Sequence, residues 1–384
     1  MKTILDKEVL SYSASRGQCQ RDALAVDPDA GCNIQFTSGT TGSPKAALLS
    51  HHNIVNNGFN IGLRNELHER HTKICVQVPL FHVFGVVVTL SSAVQHGATV
   101  VLPAGRYSPA ANIEALVTEK CDSVYGTPTM HIDLVNAVRS SGVTGLRVRT
   151  AITGGSPVTP KLVQDLERTL GLSCVKSIFG MTEGSAVSFQ SLPGEDQERP
   201  LYYVGALHDH LEAKIVNDEG NMVPFGAPGE LWIRGYSVMT GYWGEKAKTA
   251  ETKRPDGWLR TGDQVVLHQD GYGQIVGRLK DLIIRGGENI APKEIEDVLT
   301  AHPDVVDCQV VGVQDDRLGE EICAVIRLQE GAALNAQELS RHCQGSLAKY
   351  KIPRIFKRID SFPKTASGKV QKYKLRNMIE SGKL

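Results

Sequence analysis

The sequence predicts an α/β protein of several parts, and three observations carry that prediction. From Asn33 to about Ser188, short apolar runs alternate with amphipathic segments. From about Val204 to Val276, strand-like runs are divided by Gly, Pro and Asp turns, and helical periodicity fades. After Gly277-Arg278-Leu279-Lys280-Asp281, both periodicities return in a tail with a basic finish. Alternating strands and helices argue for a mostly parallel sheet. Turn-divided strands argue for a small β subdomain, and the tail reads as a compact α+β domain. The expected divisions are 1–32 as an N-terminal remnant or linker, then 33–203, 204–279 and 280–384.

Within the first region, Lys73–Val78, Thr99–Leu102, Asp122–Tyr125, Val148–Thr153 and Val175–Ile178 have the apolar content of buried strands. Between them, Asn53–Leu63, Pro109–Glu119, Thr129–Arg139 and Pro160–Leu170 have helical spacing. Several open with Pro in the first turn, where no N–H is needed. The β subdomain is expected from Leu211–Val216, Gly229–Arg234, Gln264–His268 and Tyr272–Val276. The tail is expected to hold helices Pro292–Thr300 and Asn335–Gln344 and strands Val305–Val313 and Glu321–Leu328.

Composition narrows the function classes. The 384 residues carry 42 basic and 42 acidic side chains, so nothing draws the chain to nucleic acid or an anionic membrane. Eight cysteines, at 19, 32, 75, 121, 174, 308, 323 and 343, show no metal-ligand or disulfide spacing. They read as isolated thiols of a reducing compartment. No apolar run is long enough to span a bilayer. Met1 to Val9 lacks the apolar core of a secretory signal. The ending Ser381-Gly382-Lys383-Leu384 departs from a peroxisomal Ser-Lys-Leu at Gly382.

The most informative string is Thr37-Ser38-Gly39-Thr40-Thr41-Gly42-Ser43-Pro44-Lys45. Two glycines free the backbone to present N–H groups, five hydroxyls add donors, and Lys45 adds a positive charge. Such a loop can wrap a polyphosphate. It is not a Walker loop, because Pro precedes Lys45 and Ala46 follows it. In an open α/β sheet, working loops lie beyond the carboxyl ends of the strands. Both the 37–45 loop and the Gly180–Glu183 loop are expected there.

Further segments offer compatible chemistry, though each is also ordinary turn or surface sequence when taken alone. Phe179-Gly180-Met181-Thr182-Glu183 follows a strand and combines a ring, a close-approach glycine, a hydroxyl and a carboxylate. Thr261-Gly262-Asp263 supplies a carboxylate able to accept two hydrogen bonds. Arg285-Gly286-Gly287-Glu288 has a glycine pair that lets backbone approach a thin ligand. Pro363-Lys364-Thr365-Ala366-Ser367-Gly368-Lys369 places a lysine near the C-terminus.

Together and in this order, these motifs resemble the adenylate-forming superfamily of acyl-CoA synthetases, luciferases and peptide-synthetase adenylation domains. The resemblance covers residues 33 to 376 and is most similar to the medium-chain acyl-CoA synthetases of the mitochondrial matrix. It departs from the usual pattern at Ala46 and Phe179. It implies the large adenylating (AMP-binding) domain, with its sheet and β subdomain, followed by a mobile C-terminal domain.

The implied substrates are ATP, CoA and a medium-chain fatty acid, with Mg²⁺ as cofactor. By resemblance, Thr37 to Ser43 and Lys45 hold the phosphates. Phe179 stacks on adenine beside Gly180, Thr182 contacts the α-phosphate, and Glu183 holds Mg²⁺. Asp263 and Arg278 bind ribose. Lys369, with Lys45, Thr182 and Glu183, serves adenylation. His82, Gly154 and Gly155 shape the acyl pocket, Lys280 is the hinge, and Gly286 and Gly287 face the CoA tunnel. The basic residues Lys372, Lys374 and Arg376 are placed to attract CoA phosphates.

The resemblance implies a mitochondrial matrix protein, with cytoplasm or peroxisome as alternatives. It leaves oligomeric state open. Only 36 residues precede the phosphate loop, whereas family members carry a large portion there. A shortened chain is therefore expected, and a truncated, inactive nucleotide- or partner-binding fragment is the competing expectation. A carrier-linked peptide-synthetase domain is disfavoured because no carrier domain follows Leu384, and luciferase chemistry by the closer synthetase likeness.

Overall fold

The computed structural model describes residues 25–37, 44–156, 158–196 and 198–384. Its largest sheet has seven strands in the order Thr99–Val101, Lys73–Val76, Ser123–Gly126, Thr150–Gly154, Cys174–Phe179, Phe189–Gln190 and Ala206–Leu207. The first five run parallel and the last two antiparallel. The five parallel strands begin and end within about two residues of the expected runs. Side chains alternate between two cores, as a sheet covered on both faces requires. Ile74, Val76, Tyr125 and Ile152 enter one core, while Cys75, Val124 and Ala151 enter the other.

Helices His51–Arg64, Pro109–Thr118, Pro128–Ser141 and Pro160–Leu170 cover these faces. Their starts follow from local chemistry. The Ser50 hydroxyl accepts from the Asn53 N–H in a capping box, and Ser108 and Thr159 cap the second and fourth helices. Pro109, Pro128 and Pro160 occupy first-turn positions.

The phosphate-loop placement needs correction. Gly31–Phe36 and Ala46–Ser50 form an antiparallel hairpin, and Gly241–Tyr242 pairs with the second strand. The 37–45 loop therefore tips a separate three-stranded sheet rather than a parallel strand. Alternation of apolar runs alone does not distinguish these two placements. Thr37 and Lys45 close the loop's base through Thr37 N–H to Lys45 O at 2.8 Å. Residues Ser38, Gly39, Thr40, Thr41, Gly42 and Ser43 lie outside the described residues.

A four-stranded antiparallel sheet follows, ordered Leu211–Val216, Pro228–Gly235, Leu259–Leu267 and Gly273–Arg278. The third strand starts five residues before the expected Gln264, so Thr261-Gly262-Asp263 lies inside a strand. The register shift between Glu230 and Trp232 puts Thr261–Asp263 opposite Leu231 alone, a bulge within this segment. Such a bulge re-aims side chains, and here it turns Asp263 toward Arg278 on the next strand.

The C-terminal part pairs Ile283–Arg285 with Glu288–Ile290, and Val305–Asp315 with Gly319–Leu328. Ile355–Arg358 adds a parallel strand, and helices Pro292–Thr300, Ala336–Cys343 and Lys372–Glu380 pack against the sheet. The basic finish is thus a helix. Its Lys372 donates to Glu296 Oε1 at 2.6 Å and to Val310 O at 3.1 Å, an anchor within its own domain. The main apolar clusters separate cleanly, with two drawn from residues up to 275 and two from 283 onward.

His131 ties helix Pro128–Ser141 to the sheet. Its Nε2 bonds Ile152 O at 3.1 Å, and its Nδ1 meets Gln77 Nε2 at 3.1 Å. Burial pushes its pKa down to about 4. The unfolded chain therefore takes up a proton here between about pH 6.5 and about pH 4 while the folded chain does not, so acidification across this window lowers stability. His131→Gln is expected to reduce the slope of unfolding free energy against pH by about 1.4 kcal/mol per pH unit. Urea denaturation at about pH 5 and about pH 6 measures it.

Candidate active site

A cleft opens where two parallel strands end. It is lined by His82, Val83, Phe84, Val88, Gly155, Ile178, Gly180, Met181, Thr182, Ala186 and Lys369. Its wall is largely apolar, and its polar groups are the Thr182 hydroxyl, the His82 imidazole and the Lys369 ammonium. Lys369 comes from the C-terminal part, more than 180 residues along the chain from the rest of the lining.

A tight turn carries that lysine. Thr365 N–H donates to Lys369 O at 2.8 Å, Lys369 N–H donates to Thr365 Oγ1 at 3.1 Å, and Gly368 N–H donates to Thr365 O at 2.9 Å. The turn rests on the start of helix Pro128–Ser141, where Thr129 Oγ1 donates to Gly368 O at 2.6 Å. The aliphatic stem of Lys369 passes over Gly155, where a Cβ would lie 3.2 Å from Lys369 Cε. Gly154 stands one residue behind, against Ile178, and does not line the cleft.

The electrostatics follow from enclosure and neighbours. Loss of solvent pushes the Lys369 pKa down to about 8. Arg278 and Lys280 push the same way, and Asp263 and Glu183 oppose them. The same desolvation, with Lys369 nearby, takes His82 down to about 4. His82 Nδ1 accepts the Phe84 N–H at 3.1 Å, so the ring proton sits on Nε2. His82 is thus a neutral wall group at physiological pH.

Asp263 is buried, and burial raises its pKa against the pull of Arg278. Arg278 Nε donates to its Oδ1 at 2.9 Å, while Oδ2 is buried without a partner among the described residues. An orphaned carboxylate oxygen is costly unless a ligand donor meets it. Glu183 sits on the short helical turn Thr182–Gly184, and its Oε1 accepts the Tyr242 hydroxyl at 2.7 Å. Lys45 Nζ lies 4.8 Å from the centre of that tyrosine ring. Tyr242 therefore couples the base of the phosphate loop to Glu183. It belongs to no motif in the sequence, and only the pairing of Gly241–Tyr242 with Ala46–Ser50 brings it in.

Phe179 ends its strand half-buried, its ring edge-on to Phe189 at 6.3 Å. Lys280 lies on the turn Leu279–Asp281 and feels the Arg278, Asp281, Asp263 and Glu183 charges. Gly286 and Gly287 are not among the cleft-lining residues. They form a two-residue hairpin turn with φ of +61° and +88°, the geometry that Gly-Gly favours.

A family model of AMP-binding enzymes matches residues 2–243, and one of the AMP-binding enzyme C-terminal domain matches 294–369. The chain belongs to the AMP-binding enzyme family. Among curated members, the mitochondrial medium-chain acyl-CoA ligase of Danio rerio is 45% identical over 94% of this chain and 59% of its own length. The human counterpart is 41% identical over 98% of this chain and 63% of its own. The chain thus spans about three-fifths of these curated relatives. A putative acyl-CoA synthetase of Bacillus subtilis is 39% identical over 97% of the chain and 67% of its own.

Solved structures similar to this chain carry ligands, as two of them show. ATP-bound MatB from Rhodopseudomonas palustris superposes with a TM-score of 0.82 at 28% identity, covering 92% of this chain and 69% of its own. The Bacillus subtilis o-succinylbenzoate CoA synthetase with its acyl-adenylate superposes at 0.78 and 30% identity, with coverage of 92% and 70%. The adenylate-forming architecture expected from sequence is therefore present. Among the described residues, no helix is long and apolar enough to cross a membrane.

The site's packing leaves no room at Gly180, where a Cβ would lie 1.9 Å from Ala186 O. Ala186 itself holds φ of +95°, so that carbonyl sits on strained backbone. Gly180→Ala is expected to destabilise the protein by about 1–3 kcal/mol. Gly277→Ala, which meets open space, should stay within about 0.5 kcal/mol of the parent. Urea melts of the two variants check both.

Proposed function

We propose that this protein is an AMP-forming fatty acid–CoA ligase acting on medium-chain acids. The observation that supports this most is the delivery of Lys369 into an apolar cleft beside Thr182, in the field of Glu183 and Asp263. An apolar slot suits an acyl chain, and an ammonium at its polar end suits the carboxylate. With a pKa of about 8, Lys369 is still mostly protonated at neutral pH.

On this reading the acid's carboxylate attacks the α-phosphorus of ATP, forming acyl-adenylate and releasing pyrophosphate. Lys369 pairs with the negative charge that builds on the phosphoryl oxygens. The orphaned Asp263 Oδ2 accepts a ribose hydroxyl, Phe179 stacks on adenine, and Thr37 to Lys45 hold the phosphates. Glu183 is the residue that would hold Mg²⁺. One carboxylate with phosphate oxygens is the donor set this ion usually takes, and the ion would supply charge neutralisation. His82 and Gly155 border the acid. The part from 280 onward then turns about Lys280, withdrawing Lys369 and offering the Gly286–Gly287 turn. CoA thiolate attacks the acyl carbon and AMP leaves. By likeness to relatives named as mitochondrial, the proposed compartment is the mitochondrial matrix.

The test is octanoate-dependent exchange of pyrophosphate into ATP. Exchange is expected from the parent chain with Mg²⁺ and to be lost on chelation. Lys369→Ala should reduce it by at least about 100-fold. Exchange at the parent rate in that variant would sink the assignment.

A further inference from the structure

The two parts of the chain have separate apolar cores, so something else sets their relative orientation. Directional polar contacts cross the boundary, beside apolar neighbours such as Met130 against Gly368. On helix Pro128–Ser141, Asp133 receives two cations from the C-terminal part, with Arg327 Nη1 at 3.3 Å from Oδ1 and Lys364 Nζ at 3.1 Å from Oδ2. All three side chains are about a fifth exposed. One turn earlier on the same helix, Thr129 holds Gly368. Lys364 and Gly368 flank the turn that carries Lys369. The carboxylate and the hydroxyl thus grip both ends of the segment that delivers the cleft ammonium.

We infer that Asp133, with Thr129, is a positioning residue that latches the C-terminal part in the orientation placing Lys369 in the cleft. Without the latch, Lys369 leaves. Arg327 has a second carboxylate for that state. Asp307 faces it in strand register on its own sheet, and Asp307 Oδ2 and Arg327 Nε are both buried without hydrogen-bond partners among the described residues. The cation is therefore not stranded when the domains part, which keeps release energetically accessible. Lys161, which donates to His302, Pro303 and Val305 carbonyls at 3.0, 3.2 and 2.6 Å, forms a second support at the far end of the boundary.

This inference rests on the proposed ligase reading for its catalytic consequence but not for its structural one, and the experiment separates the two. In the 384-residue chain, competitive acetylation with acetic anhydride across a pH series, read by mass spectrometry against a free lysine-analogue standard, titrates Lys369. In the parent, Lys369 labelling should level off above about pH 8. In Asp133→Asn, the Lys369 profile is expected to move up toward the ordinary lysine range near about 10.4. Asp133→Glu should keep the parent profile. Lys364→Met, which leaves the large domain untouched, should shift it as Asp133→Asn does. An unshifted profile in Asp133→Asn and Lys364→Met, or a parent profile already in the ordinary lysine range, overturns the latch.

The catalytic arm compares two half-reactions in Asp133→Asn. Octanoate-dependent pyrophosphate exchange should fall about fivefold, the equivalent of one part-exposed ion pair. Thioester formation from supplied octanoyl-adenylate and CoA should be no slower than in the parent. Equal slowing of both steps overturns the positioning role. A parent chain with no exchange at all refutes the ligase reading, while the labelling profile still decides the latch.

Discussion

A lysine ammonium that must sit in a poorly solvated cleft, yet is carried by a separately folded part of the chain, is the constraint around which this structure is arranged. Desolvation alone would favour the neutral amine. Arg278 and Lys280 add repulsion, and only Asp263 and Glu183 hold the charge in place. The stem needs the missing side chain at Gly155, and the turn needs the Thr127–Thr129 surface beneath it. Removing either carboxylate favours the neutral amine, and filling Gly155 or moving the turn displaces the stem.

The sheet topology explains how distant residues meet. Gly155 and Gly180 follow adjacent parallel strands, where successive carboxyl ends open a crevice. Asp263 and Arg278 arrive from an antiparallel sheet whose bulge turns the carboxylate. Glu183 is held by Tyr242 from a third, small sheet that also ends at Lys45. Four cations, Lys45, Arg278, Lys280 and Lys369, thus gather around the carboxylates of Glu183, Asp263 and Asp281. Cations gathered at one place on a charge-balanced chain suit a polyanionic ligand.

The sequence was most legible where periodicity and capping agree. The parallel strands, the helices opened by Pro109 and Pro160, and the strand Leu211–Val216 lie within two residues of where their patterns put them. The direction of the phosphate-loop hairpin is not legible, because apolar runs do not state strand direction, and the strand through Asp263 starts earlier than its pattern because a bulge with Gly262 looks like a turn. The motif residues of the cleft could be named from sequence, but Tyr242, Thr129 and Asp133 could not. Each acts through contacts about 60 to 240 residues away in the chain, and an isolated Tyr, Thr or Asp on an amphipathic element carries no local signal.

The boundary at residue 280 shows why polar contacts suit this arrangement. An apolar interface between the two parts would gain roughly 25 cal/mol for each Å² buried and would hold one orientation. Here the main apolar clusters stop on either side of Lys280, and the bridging hydrogen bonds and ion pairs come from charges, carbonyls and one hydroxyl. Such contacts contribute about 1 kcal/mol or less apiece in water. They specify geometry because charges and hydrogen bonds are directional. They also let go at little cost because water replaces them. On the proposed reaction cycle, a lysine that is placed and later withdrawn needs both properties, and a hydrophobic interface supplies only the first.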